Sequence, residues 1–356
     1  MKLDLNTVIS EIKPASAEWR AKGAERLSQL TTPAGALGDL LLLAERLVAM
    51  RETLKPSVAK KIVVTMAGDH GIVDEGVSAY PKAVTPQMVD NIVQGGAGIN
   101  ALAAAAGASV IVVDLGVDAD LSQMKGINPL LDYKVAYGTK NMAKEPAMTQ
   151  EQAVQALESG IEIASNLIEN EGAELLATGD MGIGNTTPST AILSVMTGKS
   201  VAEITGRGTG LDDKGLKHKI KVIEDVLAFQ KPDPNNALEV LMKVGGLEIA
   251  GIAGLILGAA YHKIPVVVDG FISTAGALIA KGLAPASVDY MIASHKSVEV
   301  GHAFMWEALG LKPLLSLNLR VGEGTGAAIA MNIVESAAQI LAKVRTFDEA
   351  GVSNKE

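Results

Sequence analysis

The spacing of apolar residues divides the chain into two stretches. In the first, which ends near residue 50, apolar side chains recur at the spacing typical of helices with one buried face. Pro14, and Pro33 together with Gly35, interrupt this pattern and separate the helical segments. The predicted helices are Thr7–Ile12, Trp19–Leu30 and Leu37–Met50.

From residue 61 onward, short apolar runs rich in β-branched residues alternate with longer helical segments. Because most of these runs are followed by a helix before the next run, the pattern predicts an α/β fold with a parallel sheet flanked by helices. The predicted strands are Ile62–Met66, Ser109–Asp114, Glu174–Thr178, Pro265–Asp269, Val288–Ala293 and Leu314–Leu319.

The last predicted helix, Thr325–Val344, has no strand after it. We expect it to pack with the N-terminal helices. Residues 1–58 and 331–356 would then form a small helical domain, and residues 59–330 a large α/β catalytic domain.

Composition narrows the possible function classes. The chain has 356 residues, a net charge of −9 and no cysteine. Without clustered Lys and Arg, nucleic-acid binding is not expected, and without cysteine there is no disulfide, thiolate nucleophile or Cys-ligated metal. The most apolar run, Ile249–Ala260, is too short to cross a bilayer, and Met1–Lys13 does not resemble a signal peptide. We therefore expect a soluble, cytoplasmic protein with no membrane partner.

Polar residues collect at the carboxyl ends of the predicted strands, where open parallel sheets bind ligands. A single Asp at such a position is also a common helix cap, so one alone says little. The convergence of five such loops favours a ligand site. These loops carry Asp69 with His70, Asp180, Asp269, Ser294 with His295, and Glu323.

Three loops are rich in glycine: Gly179–Thr187, Gly206–Gly210 and Gly322–Gly326. Backbone N–H groups of such loops at helix N-termini bind anions such as phosphate, although the loops could equally be tight turns between strand and helix. A basic cluster follows the second loop and contains Lys214, Lys217, His218 and Lys219. It is either a solvated helix face or the source of a lysine that reaches the same anion.

Two segments of the sequence can be compared with known phosphate-binding motifs. Gly198-Lys-Ser200 ends like a P-loop, but Leu193 stands where the motif needs glycine, which excludes it. Gly322-x-Gly324-x-x-Ala327 fits the glycine fingerprint of dinucleotide-binding proteins. That fingerprint also needs a second strand that ends in an acidic residue about 20 residues further on, and the sequence predicts only helix there. A dinucleotide-dependent oxidoreductase is therefore a weaker alternative. A non-enzymatic nucleotide-binding regulator is a third hypothesis. The histidines show no metal-ligand spacing, so no metal site is expected.

These segments also carry a family resemblance. Leu30–Gly38, Ala67–Gly71 with Tyr80–Met88, Gly179–Pro188, Gly206–Lys219, Val267–Gly270 and Arg320–Gly326 occur in the order of the motifs of one family. The chain resembles the nicotinate-nucleotide–dimethylbenzimidazole phosphoribosyltransferases of cobalamin assembly over nearly its whole length. The resemblance implies a Rossmann-like large domain, a homodimer, and a reaction that needs no cofactor. In that reaction nicotinate mononucleotide and 5,6-dimethylbenzimidazole give α-ribazole 5′-phosphate and nicotinate.

The resemblance also assigns candidate site residues. Glu323 matches the family's catalytic base, and Asp180 stands where the family carries a second acid, a Glu. Lys219 matches the phosphate-contacting lysine. The benzimidazole pocket maps to Ser78, Tyr80, Gln87 and Met88. The remaining expected substrate contacts are Gly182, Gly184, Asn185, Gly208, Thr209, Gly210, Asp269, Gly322 and Gly324.

The implied chemistry suits these residue types. Nicotinate leaves as a neutral ring nitrogen, so no acid is needed to protonate it, and no pyrophosphate leaves that would call for Mg²⁺. When the benzimidazole attacks the sugar, its N–H becomes acidic, and a carboxylate within hydrogen-bond reach can take the proton. We expect Glu323 to act as this base and Asp180 to offset positive charge that develops near the sugar.

Overall fold

The computed structural model of the chain describes residues 3–208 and 210–353. The strands are β1 (Lys61–Gly68), β2 (Ala108–Gly116), β3 (Leu130–Asp132), β4 (Leu175–Met181), β5 (Val266–Val268) and β6 (Met291–Ala293). The first helices are α1 (Leu5–Glu11), α2 (Ala17–Ser28), α3 (Asp39–Arg51), α4 (Val84–Val93), α5 (Gly98–Ala106), α6 (Gln150–Glu169), α7 (Thr186–Thr197) and α8 (Val201–Ile204). The others are α9 (Asp213–Gln230), α10 (Ala237–Val244), α11 (Leu247–Tyr261), α12 (Phe271–Leu283), α13 (His302–Leu309), α14 (Thr325–Lys343) and α15 (Phe347–Ala350).

The strands form one parallel sheet in the order β3-β2-β1-β4-β5-β6. This arrangement confirms the predicted α/β class and has the strand order of Rossmann-like folds. The chain moves outward in one direction from β1 to β3 and in the other from β4 to β6. The carboxyl ends of β1 and β4 therefore flank the crevice where such sheets bind ligands.

One predicted strand is wrong and one observed strand was not predicted. Leu314–Leu319 is irregular, and only Leu315 forms a bridge, to His295 beside the end of β6. Asn318 has a left-handed backbone with φ of 55°, which breaks an extended run of apolar residues. The missed strand, β3, has three residues at the edge of the sheet and is only partly buried, so it has too few apolar positions to give a pattern.

The side chains of β1 alternate between the two faces of the sheet. Met66 contacts the position of Gly251 in α11, whereas Val63 and Thr65 meet the backbone of Gly324 and Glu323 on the opposite face. Helix α11 thus covers one face, and the segment that leads into α14 lies against the other. All eight residues of β1 are buried, as expected for a central parallel strand.

Helix α14 connects the sheet with the N-terminal helices. It packs against β1, β4 and β5 and also against α3 and α5, and α3 packs against α2. By length and composition it could span a membrane, but 56% of its most apolar window is buried inside the protein, as in a core helix. The division into a small helical domain and a large α/β domain stays a prediction.

Helices α6 and α11 approach each other closely through glycine. A Cβ on Gly254 would lie 2.0 Å from the carbonyl oxygen of Leu157, and one on Gly160 would lie 2.1 Å from that of Gly251. Side chains at these positions would push the helices apart. The contact therefore requires glycine on both helices.

We predict that Gly254→Ala destabilises the fold, because the added methyl group overlaps backbone that cannot move independently. The free energy of unfolding should fall by about 1–3 kcal/mol in denaturant titrations. Gln155→Ala, at an exposed position on α6, serves as the control and should leave stability nearly unchanged. Wild-type stability of Gly254→Ala would contradict the close approach of the two helices.

Candidate functional site

The candidate site lies at the carboxyl ends of β1 and β4. Asp69 and His70 follow β1, and Asp180 is near the end of β4. The glycine loop after β4 leads directly into α7, so its backbone N–H groups lie at a helix N-terminus. Thr85 at the start of α4 holds this loop, because its hydroxyl accepts from the N–H of Ile183 at 3.0 Å.

The loop that carries Glu323 is fixed against β1 and β4 through its backbone. The N–H of Glu323 donates to the carbonyl oxygen of Asp180 at 3.2 Å, and the hydroxyl of Thr65 donates to the carbonyl of Glu323 at 2.9 Å. Glu323 has φ of 62°, a left-handed conformation that non-glycine residues seldom adopt. Gly179 permits the contact, since a Cβ there would lie 2.3 Å from the Glu323 carbonyl oxygen.

The Glu323 carboxyl group lies at the N-terminus of α5. Its Oε2 accepts a hydrogen bond from the N–H of Ile99 at 3.2 Å, and the residue is only 6% exposed. Burial raises the pKa of Glu323, the Ile99 N–H opposes this shift, and the charge of Asp269 adds to it. The result is a partly desolvated carboxyl group of the kind that suits a general base.

Asp269 follows β5 and is completely buried. Its two carboxyl oxygens accept from the N–H groups of Gly324 at 3.0 Å and Ala327 at 2.9 Å. Burial raises the pKa of Asp269 to about 7, although these backbone donors favour its ionised form. Both oxygens are thus occupied by the segment around Glu323, and the role expected for Asp269 as a substrate contact stays a prediction.

Lys219 lies in a pocket with the features of a phosphate site. It is 1% exposed, and its Nζ donates to Thr186 Oγ1 at 2.6 Å, at the N-terminus of α7. Burial lowers the pKa of Lys219 to about 8, while the charge of Glu299 opposes the shift. The same pocket is lined by Ser78, Gly182, Gly184, Asn185, Arg207 and Gly208. Gly210 has φ of 118°, and Thr209 lies outside the described residues.

A second cavity continues from this pocket and shares Gly182, Asn185, Thr186 and Gly208 with it. Asp180 and Gly322 line its wall. Phe271, Glu299 and Arg320 also line this wall and were given no site role from the sequence, whereas His295 lies on one of the five loops predicted to form a ligand site. Arg320 is the first residue of the Arg320–Gly326 motif, and membership of that motif was the sequence signal that could have marked it as a site residue. Glu299 comes from an irregular segment without any motif, so nothing in the sequence marks it.

The segment expected to bind the base is only partly at the cleft. Ser78 lines the Lys219 pocket, whereas Tyr80 is 50% exposed and Gln87 is exposed. Met88 is half-buried and packs against the core. The Thr85–Ile183 contact nevertheless places the start of α4 beside the glycine loop.

Two alternative kinds of site lack support in residues 3–208 and 210–353. No group of three or more His, Asp or Glu side chains among them could hold a metal ion. The Gly322–Ala327 fingerprint leads into α14, and no strand follows it in the described part of the chain. A dinucleotide site would need that strand and its terminal acid.

Comparisons with known proteins show which family the chain resembles over its whole length. The phosphoribosyltransferase family model matches residues 12–352. The nicotinate-nucleotide–dimethylbenzimidazole phosphoribosyltransferase of Geotalea uraniireducens is 55% identical over 352 residues, which is 99% of each chain. The protein of the same name from Geobacter metallireducens is 54% identical over 348 residues, or 98% of each chain.

Solved structures extend the likeness to the fold. The crystal structure of CobT from Thermus thermophilus superposes with a TM-score of 0.90 and 47% identity, covering 95% of this chain and 100% of that one. Sequence identity above half over nearly the full length, together with this superposition, identifies the family. The chain belongs to the nicotinate-nucleotide–dimethylbenzimidazole phosphoribosyltransferases.

Proposed function

We propose that the chain transfers the 5-phosphoribosyl group of nicotinate mononucleotide to 5,6-dimethylbenzimidazole, with Glu323 as the general base. The products are α-ribazole 5′-phosphate and nicotinate, in the nucleotide-loop branch of cobalamin assembly. The observation that carries the residue assignment is the contact between Glu323 N–H and Asp180 carbonyl. This contact joins Glu323 and Asp180, the two acids expected from separate motifs, beside a cleft that also holds Lys219.

Lys219 and the glycine loops would hold the phosphate of the nucleotide. Its ammonium group and the N-terminus of α7 face one pocket and supply positive potential there. With the phosphate held, the anomeric carbon is positioned for attack from the face opposite nicotinate. Fixing both rings over one carbon removes much of the entropic barrier.

Glu323 would then take the proton that the benzimidazole N–H loses as its other nitrogen forms the bond to the sugar. A buried carboxylate with a raised pKa is a stronger base than one in water, yet its Ile99 contact keeps the ionised form available. We further propose that the enzyme is cytoplasmic and acts as a homodimer, as family membership suggests.

The activity is tested by incubating the protein with nicotinate mononucleotide and a panel of benzimidazoles, purines and phenols, followed by mass identification of the products. We expect nicotinate release only when an acceptor base is present, and α-ribazole 5′-phosphate with 5,6-dimethylbenzimidazole. Release of nicotinate without any acceptor would indicate a hydrolase, and binding without turnover would indicate a regulator.

Lys219→Met should raise KM for nicotinate mononucleotide by about tenfold or more, because it removes a charged hydrogen-bond donor to phosphate. In the wild type, the same KM should rise above about pH 8 as Lys219 loses its proton. Lys217→Met, an exposed neighbour on α9, is the matched control. An unchanged KM in Lys219→Met would remove Lys219 from the phosphate site.

Asp269→Asn separates substrate binding from positioning of the base. The amide group cannot accept from both Gly324 and Ala327, so the Glu323 loop loses one anchor and kcat should fall by about 10–100-fold. KM should change little if Asp269 acts through the loop, whereas a direct substrate contact would raise KM. Asp132→Asn, at the exposed end of β3, is the control.

A further inference from the structure

His295 is a buried histidine on the wall of the cavity that adjoins the Lys219 pocket. The residue is only 2% exposed, and its carbonyl accepts from Trp306 Nε1 at 3.1 Å. Its ring packs directly on the backbone of Gly326, where a Cβ would lie 2.0 Å from His295 Nδ1. The ring is therefore held in place, yet the roles proposed for Glu323 and Lys219 leave it unexplained.

The hydroxyl of Ser294 determines which ring nitrogen of His295 carries the proton. Ser294 Oγ lies 3.0 Å from the carbonyl oxygen of Asp269 and 2.9 Å from His295 Nδ1. A hydroxyl has one proton to donate, and this buried carbonyl has no other donor among the described residues. The hydroxyl therefore donates to the carbonyl and accepts from Nδ1–H. Asp269 Oδ1, at 3.8 Å from Nδ1, also favours a proton on that nitrogen.

With the proton on Nδ1, the other ring nitrogen of His295 carries a lone pair. Nε2 has no hydrogen-bond partner in residues 3–208 and 210–353, and a Cβ on Gly270, which also lines the cavity, would lie 3.9 Å from it. Burial lowers the pKa of His295 to about 4, so the ring stays neutral near pH 7. His295 thus presents an acceptor to the cavity, and no donor.

The neighbouring His302 is a matched comparison. It is completely buried, and its ring centroid lies 5.8 Å from that of His295. Its Nδ1 accepts from the N–H of Ser297 at 3.0 Å, and its Nε2 lies 2.9 Å from Thr274 Oγ1, whose proton goes to a backbone carbonyl. Both nitrogens of His302 are satisfied, as is usual for buried polar groups. Of these two rings, the one that borders the cavity is the one that leaves a nitrogen for a ligand.

Nicotinate mononucleotide can offer few donors to such an acceptor. At neutral pH its carboxylate and phosphate are ionised and its pyridinium nitrogen carries no proton, so its hydrogen-bond donors are the two ribose hydroxyls. The phosphate would lie near Lys219, where the two cavities share Thr186 and Gly208. The ribose is one methylene group away from that phosphate and would therefore enter the cavity that His295 borders.

We propose that His295 Nε2 accepts a hydrogen bond from a ribose hydroxyl of the bound nucleotide, and that this contact selects ribonucleotides over deoxyribonucleotides. Ser294 is then a positioning residue, because it fixes the proton on Nδ1. The inference rests on the proposed function, since it takes nicotinate mononucleotide as the ligand. The carboxyl groups of Asp180 and Glu299 line the same wall and are the competing acceptors.

Calorimetric binding of nicotinate mononucleotide and its 2′-deoxy and 3′-deoxy analogues tests the contact in the wild type. One analogue should bind about tenfold or more weakly, because it leaves Nε2 without a donor in a buried site. Equal affinity for all three nucleotides would overturn the proposal. The measurement needs no turnover, so it still decides this inference if the protein makes no product with any base and the proposed function fails.

His295→Asn and His295→Gln separate the two ring nitrogens. Asparagine can keep the donor to Ser294 but has no acceptor at the place of Nε2, whereas the amide oxygen of glutamine reaches that place. His295→Asn should bind nicotinate mononucleotide about tenfold more weakly and lose the preference for the hydroxyl, while His295→Gln should keep most of it.

A purely structural role of His295 would weaken binding of all three nucleotides alike in His295→Asn. If the preference for the hydroxyl persists in that variant, another acceptor such as Glu299 binds the hydroxyl and the proposal is wrong. His262→Asn is the matched control, because His262 also contacts a serine hydroxyl but lines neither cavity. It should keep the wild-type preference.

Nitrogen-15 NMR of the histidine side chains tests the position of the proton in the wild type, whether or not the variants fold. The resonances of His295, identified by their loss in His295→Gln, should show a protonated Nδ1 and an unprotonated Nε2 at neutral pH. The Nε2 resonance should shift when nicotinate mononucleotide is added. A proton on Nε2 in the free protein would overturn the inference even in an active enzyme, because that nitrogen could not accept.

Discussion

The candidate site depends on the attachment of one loop to the centre of the sheet. Glu323 is bonded through its backbone to the carbonyl of Asp180 and to the hydroxyl of Thr65, while Asp269 binds the N–H groups that follow it. These contacts join the ends of β1, β4 and β5. They also hold Glu323 in a left-handed conformation that an isolated loop would avoid. The side chain is consequently fixed at the N-terminus of α5 before any substrate binds.

The same arrangement concentrates acidic groups in a poorly solvated space, and this has a consequence for stability. Asp180, Asp269 and Glu323 all have a raised pKa, chiefly because they are buried. Folding therefore takes up protons at a pH between the unfolded and the folded pKa of each group. The contribution of these groups to stability falls as the pH rises through that range. For Asp269 the range runs from the ordinary pKa of 3.8 to the folded pKa of about 7. The proposed reaction needs one of these carboxyl groups, Glu323, as its base, and this role would explain why the site keeps them despite the loss of stability.

Much of the fold could be predicted because its strands are buried on both faces. Ile62–Met66 and Ser109–Asp114 are mostly apolar and rich in β-branched residues, and they lie within β1 and β2. Leu314–Leu319 has a similar composition but contains Asn318 with a left-handed backbone, and apolar spacing does not report that conformation. The edge strand β3 is too short to give any pattern.

The site was predictable to the extent that it lies in glycine-rich motifs at strand ends. The contact between the Glu323 loop and the end of β4 is expected for a parallel sheet, in which strand ends meet at one edge. The alternation of strand and helix patterns along the sequence already suggests such a sheet. The buried hydrogen bond between His70 and Glu248 does not follow, because the two residues are 178 positions apart and Glu248 stands in an apolar helix like any capping acid. Tertiary contacts of this kind leave no local signal in a single sequence.

The central claim is that Glu323 removes the benzimidazole proton, and Glu323→Gln tests it most directly. The amide oxygen can still accept from the Ile99 N–H, so the loop should keep its geometry. Single-turnover rates should be measured with both substrates bound, alongside their equilibrium dissociation constants. The account predicts nearly unchanged binding of both substrates and a rate lowered on the order of 10²–10⁴-fold. A wild-type rate in this variant would contradict it.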